Sequence, residues 1–129
     1  MTGYSTDIEK ATEQNEYFRQ VLYTGPNSQL VVMTLQPGED IGQERHDTVD
    51  QFIRVESGSA VAILDGERHE LESDWVVVIP AGTEHNVINT SDDEAVRLYT
   101  IYSPPNHPDG TVHRTKAEAE AYELAHHGR

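Results

Sequence analysis

The chain contains no cysteine. That excludes disulfides, thiolate nucleophiles and sulfur-held metals, so any ion must sit among nitrogen and oxygen donors. Lysine is nearly missing, with Lys10 and Lys116 the only two. Nine basic residues stand against 23 acidic ones, for a net charge of −14. A field of that sign repels phosphate backbones and anionic lipid, which argues against nucleic-acid and membrane partners. No apolar run approaches the roughly 18 residues of a membrane span. The opening Met1-Thr2-Gly3-Tyr4 is not a basic segment followed by an apolar one, as a secretory signal would be. A cytoplasmic protein is the expectation. Acid excess with scarce lysine also suits a cytoplasm at molar salt, where the Debye length is about 3 Å and self-repulsion is screened. A halophilic source is expected on that ground.

What is present fits one domain. The 129 residues are 36% hydrophobic and 25% charged, which allows a moderate core and no second one. Residues 1–16 are polar and acidic and read as an arm or a short helix. From Tyr17 onward short apolar runs alternate with turns. Strands are expected at Tyr17–Thr24, Gln29–Gln36, Gln51–Glu56, Ala60–Leu64, Glu67–Leu71, Trp75–Ile79, His85–Asn89 and Ala95–Tyr102. The turns between them carry Gly25-Pro26-Asn27, Pro37-Gly38, Ser57-Gly58 and Pro80-Ala81-Gly82, and Asp65-Gly66 is a strong hairpin signal. Eight short strands with no helix between them predict an antiparallel sandwich or closed barrel over residues 17–114. Residues 103–114 are Pro-rich and read as irregular. Residues 115–129 read as a C-terminal helix and tail, with Thr115 as N-cap and Glu118 placed for a capping box.

Four residues carry candidate chemistry. Glu44 and His46 are two apart, and residues i and i+2 of a strand share a face. Gln51 begins the next apolar run, from which a neighbouring strand could bring its amide oxygen alongside. His85 lies just past Pro80-Ala81-Gly82 and could approach from an opposing strand. Two imidazoles, a carboxylate and an amide suit Fe, Mn, Co, Ni, Cu or Zn. By spacing alone, Glu44 and His46 also read as solvated loop residues in an acidic stretch.

The spacing resembles the cupin family. Its first motif is glycine, five residues, His-x-His, a gap, Glu, six residues, glycine. Here Gly38, five residues, Glu44-Arg45-His46, four residues, Gln51, six residues and Gly58 stand in that order. The second motif matches as Asp74, five residues, Pro80-Ala81-Gly82, two residues, His85, three residues and Asn89. Glu44 replaces a histidine, Gln51 replaces the glutamate, and Asp74 replaces a turn glycine. The first two changes move the carboxylate and keep the ligand charge at minus one. Asp50-Gln51-Phe52 and the Tyr99–Pro105 ending resemble small stand-alone cupins described as similar to mannose-6-phosphate isomerase. The resemblance implies an all-β double-stranded β-helix (jelly-roll) barrel with a short C-terminal helix. It implies one divalent transition metal on Glu44, His46, Gln51 and His85, and a homodimer. It also implies either a dioxygenase- or isomerase-type enzyme on a small oxygen-rich substrate, or a non-catalytic barrel binding a small ligand or sugar around a structural metal.

Other residues have blander readings. His69 is expected to be exposed. His107 and His113 could close over a barrel mouth as acid or base, but the ordinary reading is surface loop. His126 and His127 are expected to be inert at a frayed end. Tyr99 and Tyr102, three apart on one strand, face opposite sides, and ordinary packing is the expectation for both. Arg54 faces away from Gln51. Trp75 reads as core or subunit interface, Asn86 as outward, and Asn89 as a turn residue.

Overall fold

In the computed structural model, which describes residues 3–127, the polar arm carries a helix, α1 (Ile8–Gln14). Asp7 starts it: the side chain accepts a hydrogen bond from the Lys10 N–H at 3.1 Å, one of the amides a helix cannot satisfy itself. Nine strands follow: β1 (Arg19–Thr24), β2 (Gln29–Leu35), β3 (Asp50–Ser57), β4 (Ala60–Leu64), β5 (Glu67–Leu71), β6 (Val76–Ile79), β7 (His85–Ile88), β8 (Val96–Ser103) and β9 (Val112–His113). A second helix, α2 (Lys116–His127), closes the described chain. Met1, Thr2, Gly128 and Arg129, at the two ends of the expected arm and tail, lie outside the described residues, as does the expectation for the His127 side chain. Among the described residues no helix is long and apolar enough to cross a membrane.

The strands form two antiparallel sheets, in the orders β6-β3-β8-β2-β1-β9 and β5-β4-β7. The smaller sheet is extended beyond β7 by single bridges, Asp40 to Ile88 and Glu44 to His85. Strand register sets the ends of the barrel. Tyr102 of β8 pairs with Gln29 of β2 and with Gln51 of β3, while Val96 pairs with Leu35. Period-two alternation then grades the interior. Val96, Leu98, Val55, Ile53, Met33 and Leu35 pack one end, each essentially inaccessible. Burying a side chain of this size is worth about 1.5–3 kcal/mol. Toward the other end the same rows place Thr100, Tyr102, Gln51 and His85 inside. The apolar rows drive closure, and the polar ends of those rows make a mouth.

Local backbone requirements explain the motif glycines. Asp65 and Gly66 have φ of 47° and 84°, the two positive values of a type I′ hairpin turn. At Gly58 φ is 84°, and a Cβ there would stand 2.6 Å from the Ala95 carbonyl oxygen. Asp74, where the motif has glycine, also takes the left-handed conformation, with φ of 73°. Asp tolerates that region better than most residues, and its carboxylate accepts from Arg54 at 2.9 Å on the outer face.

Several expectations change. Glu44 and His46 do not lie on a continuous strand: Glu44 forms one bridge and His46 is in irregular chain. Part of the Pro-rich segment pairs as β9 with β1, too short to show in sequence. Trp75 is 53% exposed and is not core. The α2 cap forms as expected at Thr115, which accepts from the Glu118 N–H at 3.1 Å. The return bond from the Glu118 carboxylate goes to the Arg114 N–H, at 2.8 Å, rather than to Thr115 itself.

Candidate metal centre

The Glu44–His85 bridge brings two distant residues together. Each donates its backbone N–H to the other's carbonyl at 2.8 Å. Residues paired in this way project side chains from the same face. His46 follows Glu44 and is fixed by the turn before β7: the Gly82 N–H donates to the His46 carbonyl at 2.8 Å. The Ala81 N–H in the same turn donates to the Asp50 carboxylate at 2.9 Å, tying the turn to the start of β3. Asn86 stitches the edge, accepting from the Gly42 N–H at 2.9 Å and donating to Asp40 at 2.8 Å.

The ligand-capable atoms of Glu44, His46 and His85 all lie within 4.8 Å of one another. The His46 and His85 ring centroids are 5.4 Å apart. His85 Nδ1 lies 2.9 Å from the Thr83 carbonyl. A carbonyl only accepts, so Nδ1 carries the proton and Nε2 presents a bare lone pair, the arrangement of a metal-ligating histidine. His46 Nε2 is 3.5 Å from Glu44 Oε1. Gln51, on β3, donates its amide nitrogen to Thr100 Oγ1 at 3.1 Å, which leaves Oε1 for the interior.

The donor set fits a divalent ion. His46 Nε2, His85 Nε2 and Gln51 Oε1 are buried and have no hydrogen-bond partner. A buried polar atom left unpaired costs about 1–3 kcal/mol, so three such atoms, two of them on the histidines clustered with the Glu44 carboxylate, require an explanation. A cation bound by nitrogen and oxygen supplies one.

Above the cluster is a cavity of about 690 Å³, whose walls include Arg19, Glu44, His46, His107, His113 and Tyr122. That size suits a small organic ligand. A second cavity, of about 420 Å³, lies under α2 and shares Arg19 and Glu44 with the first. Tyr102 is fully buried, edge-on to His46 at 6.2 Å and to His107 at 5.1 Å. Its hydroxyl is 3.4 Å from His107 Nε2. Burial raises the Tyr102 pKa, so the phenol keeps its proton. Burial also pushes His107 down to about 3, helped by the charge of Arg19 and by His113 and His46. Both groups are neutral across the physiological range.

Of the four candidate ligands, the structure clusters Glu44, His46 and His85 and places Gln51 on β3 with a buried, unpartnered oxygen. His107 and His113 line the cavity rather than a surface loop, and His126 lines it too, stacked on Tyr122 at 3.8 Å. Arg19 escaped the sequence reading. An arginine two residues from the inward Val21 was the available signal, since the two share a strand face. His69 stays outside the site, paired with Glu67 at 2.9 Å. Asn89 holds its turn, donating to the Leu35 and Glu94 carbonyls at 3.1 and 2.8 Å.

Fold and motif residues meet in comparison with known proteins. The family model described as "Cupin domain" matches residues 31–102, and the chain belongs to that family. The YrkC protein of Bacillus subtilis is 47% identical over 126 residues, spanning 93% of this chain and 67% of that protein. The L612 protein of Acanthamoeba polyphaga mimivirus is 44% identical over 112 residues, spanning 84% of this chain and 70% of that one. The crystal structure of BH2720 from Bacillus halodurans superposes with a TM-score of 0.89 at 44% identity, covering 92% of this chain and 93% of that one.

Proposed function

We propose that this cupin binds one divalent transition metal through Glu44, His46 and His85, with Gln51 Oε1 as a fourth, weaker donor, and uses it on a small oxygen-bearing substrate in the mouth. The observation that carries the reading is the convergence of unpartnered buried donor atoms on one carboxylate. An ion of this class supplies Lewis acidity toward substrate oxygens or, if redox-active, a centre for O₂ chemistry of the dioxygenase type. The chain's own residues supply the rest. Thr83 fixes the His85 tautomer, Thr100 turns the Gln51 amide, and Tyr102 holds a proton beside the cavity. The test is elemental analysis of chelator-treated protein after dialysis against each candidate ion. About one metal per chain, lost when His46 and His85 are both changed to Ala, supports the reading; no ion retained by the parent defeats it. Substrate turnover with O₂ uptake separates a dioxygenase from an isomerase, which works without O₂.

One observation favours the non-catalytic alternative, a small-ligand or sugar-binding barrel with a structural metal. Tyr102 is shifted up and His107 down, so neither is poised near neutral pH as a general acid or base should be. Ligand binding without turnover by the metal-loaded protein would select that alternative.

Two further assignments belong with this reading. Val76 and Val78 of β6 are 41% and 60% exposed beside Trp75 on an edge strand, and we assign that face to a homodimer. Sedimentation of the Val78→Lys variant as a monomer, against a dimeric parent, is the expected result. The acid excess supports a halophilic source; unfolding at low salt that is reversed at molar salt is expected, and indifference to salt argues against it.

A further inference from the structure

We propose that Arg19 anchors the carboxylate of a small organic acid bound in the barrel mouth. The assignment deepens the reading above by naming the substrate class of the same cavity. Arg19 opens β1 and is 4% exposed. A guanidinium is charged at any pH the protein meets, and buried arginines are ordinarily met by carboxylates. Arg19 instead places Nη1 3.3 Å from His113 Nδ1, where the imidazole accepts, and its Nε has no partner. Burial lowers the His113 pKa, and the neighbouring Arg19 charge lowers it further, so the imidazole stays neutral and offers Arg19 a lone pair but no countercharge. Arg19 therefore gives the cavity lining a fixed cation, with one buried donor, Nε, left without a partner.

Several features narrow the ligand. Arg19 and Glu44 line both cavities, so an anion on Arg19 lies in the same space as the candidate metal cluster. One guanidinium balances one negative charge. With the ion offsetting Glu44, Arg19 is the cation left for the ligand, and the −14 of the whole chain disfavours a second negative charge on it. Arg45 does not change this balance, because it is largely exposed and pairs with Asp47 at 3.0 Å. A planar monoanionic carboxylate matches the guanidinium fork with a single charge, whereas phosphate brings extra negative charge into a chain that already carries −14. Phe18, Ile41 and Ala119 in the second cavity offer an apolar wall for the carbon skeleton.

The test uses the full chain, metal-free and metal-loaded, titrated with lactate, pyruvate and butyrate, with lactamide and inorganic phosphate as controls. The readouts are calorimetric affinity and the NMR resonance of the Arg19 Nε–H. The expected result is a shift of that resonance on adding a monocarboxylate, none with lactamide, and affinity weakened roughly thirtyfold or more in Arg19→Gln. Arg19→Lys, which keeps the charge but not the fork, should fall between. If Arg19→Gln does not fold, the resonance in the parent decides. Equal binding of lactate and lactamide, preference for phosphate, no binding by any of the three acids, or a resonance they leave unmoved overturns the proposal. A shifted resonance in a protein that retains no metal would sink the metal reading alone, and a bound metal with a silent resonance would sink this one alone.

Discussion

Two groups of buried polar side chains lie toward opposite ends of β8, and they differ in whether their hydrogen bonds are complete. Near the Val96 end, Asn15 donates to the Tyr17 carbonyl and to Thr34 Oγ1 at 2.7 and 3.0 Å, and Thr34 donates back to the Asn15 carbonyl at 2.8 Å. Asn89, wholly buried, donates to two carbonyls and accepts from the Ser91 N–H at 2.9 Å. Near the Tyr102 end, Arg19, His46, Gln51 and His85 each leave one buried atom unpaired, and the remaining such atom among the described residues, Arg54 Nε, belongs to an outer-face residue. The first group completes its bonds within the chain and so specifies the fold. The second does not, and the proposed metal and ligand are what would complete its open hydrogen-bonding capacity, which closed backbone bonds hold in place.

Changing Asn89 to Ala strips a partner from the buried Leu35 carbonyl, the Glu94 carbonyl and the Ser91 amide, and should destabilise by about 2–4 kcal/mol in denaturant unfolding. A loss below about 1 kcal/mol would mean that this end is not closed by Asn89. Acid should act next, through the mouth. His107 titrates near 3 when folded and near 6.5 when unfolded, so below about 6.5 the unfolded chain takes a proton that the fold refuses. Its contribution to stability is present above that pH and is lost as pH falls toward 3; the His107→Gln variant should show a flatter stability profile over that window, and an unchanged slope would place the effect elsewhere. Gln51→Met removes an unpaired oxygen along with one hydrogen bond and should change stability by less than about 1 kcal/mol while weakening metal retention. A large stability loss would assign Gln51 to the closed class. The smallest effect is expected at Asp74→Gly, which relieves a left-handed backbone but gives up an exposed ion pair with Arg54, for a net gain of a few tenths to about 1 kcal/mol in thermal unfolding.

The closed features were the more legible in sequence. Asp65-Gly66 announced its hairpin because only a few residues tolerate two positive φ values in succession, and the apolar rows of β2, β3 and β8 announced themselves by composition and turn spacing. Gly58 and Asn89 stood at motif positions with a local turn reason, a positive φ at the one and bonds to Ser91 and Glu94 at the other, besides their distant contacts. Motif spacing also pointed to Glu44, His46 and His85, although the strand expected under Glu44 and His46 is a single bridge. The rest of the mouth was not legible, because it is assembled by contacts far apart in sequence. Arg19 meets His113 across 94 residues, and the Gln29 amide oxygen receives the backbone N–H groups of Asn106 and His107 from nearly as far. No local pattern encodes such meetings. They follow from the register of β1, β2 and β9, and that register is fixed only when the sheet closes.

The most direct measurement is anomalous diffraction from crystals of the protein loaded with Mn, Co or Zn. One peak per chain is expected, within about 2.0–2.3 Å of His46 Nε2, His85 Nε2 and a Glu44 carboxylate oxygen, with Gln51 Oε1 turned toward it. A peak elsewhere, or no peak while His46, His85 and Gln51 gain protein partners for their open atoms, would contradict it.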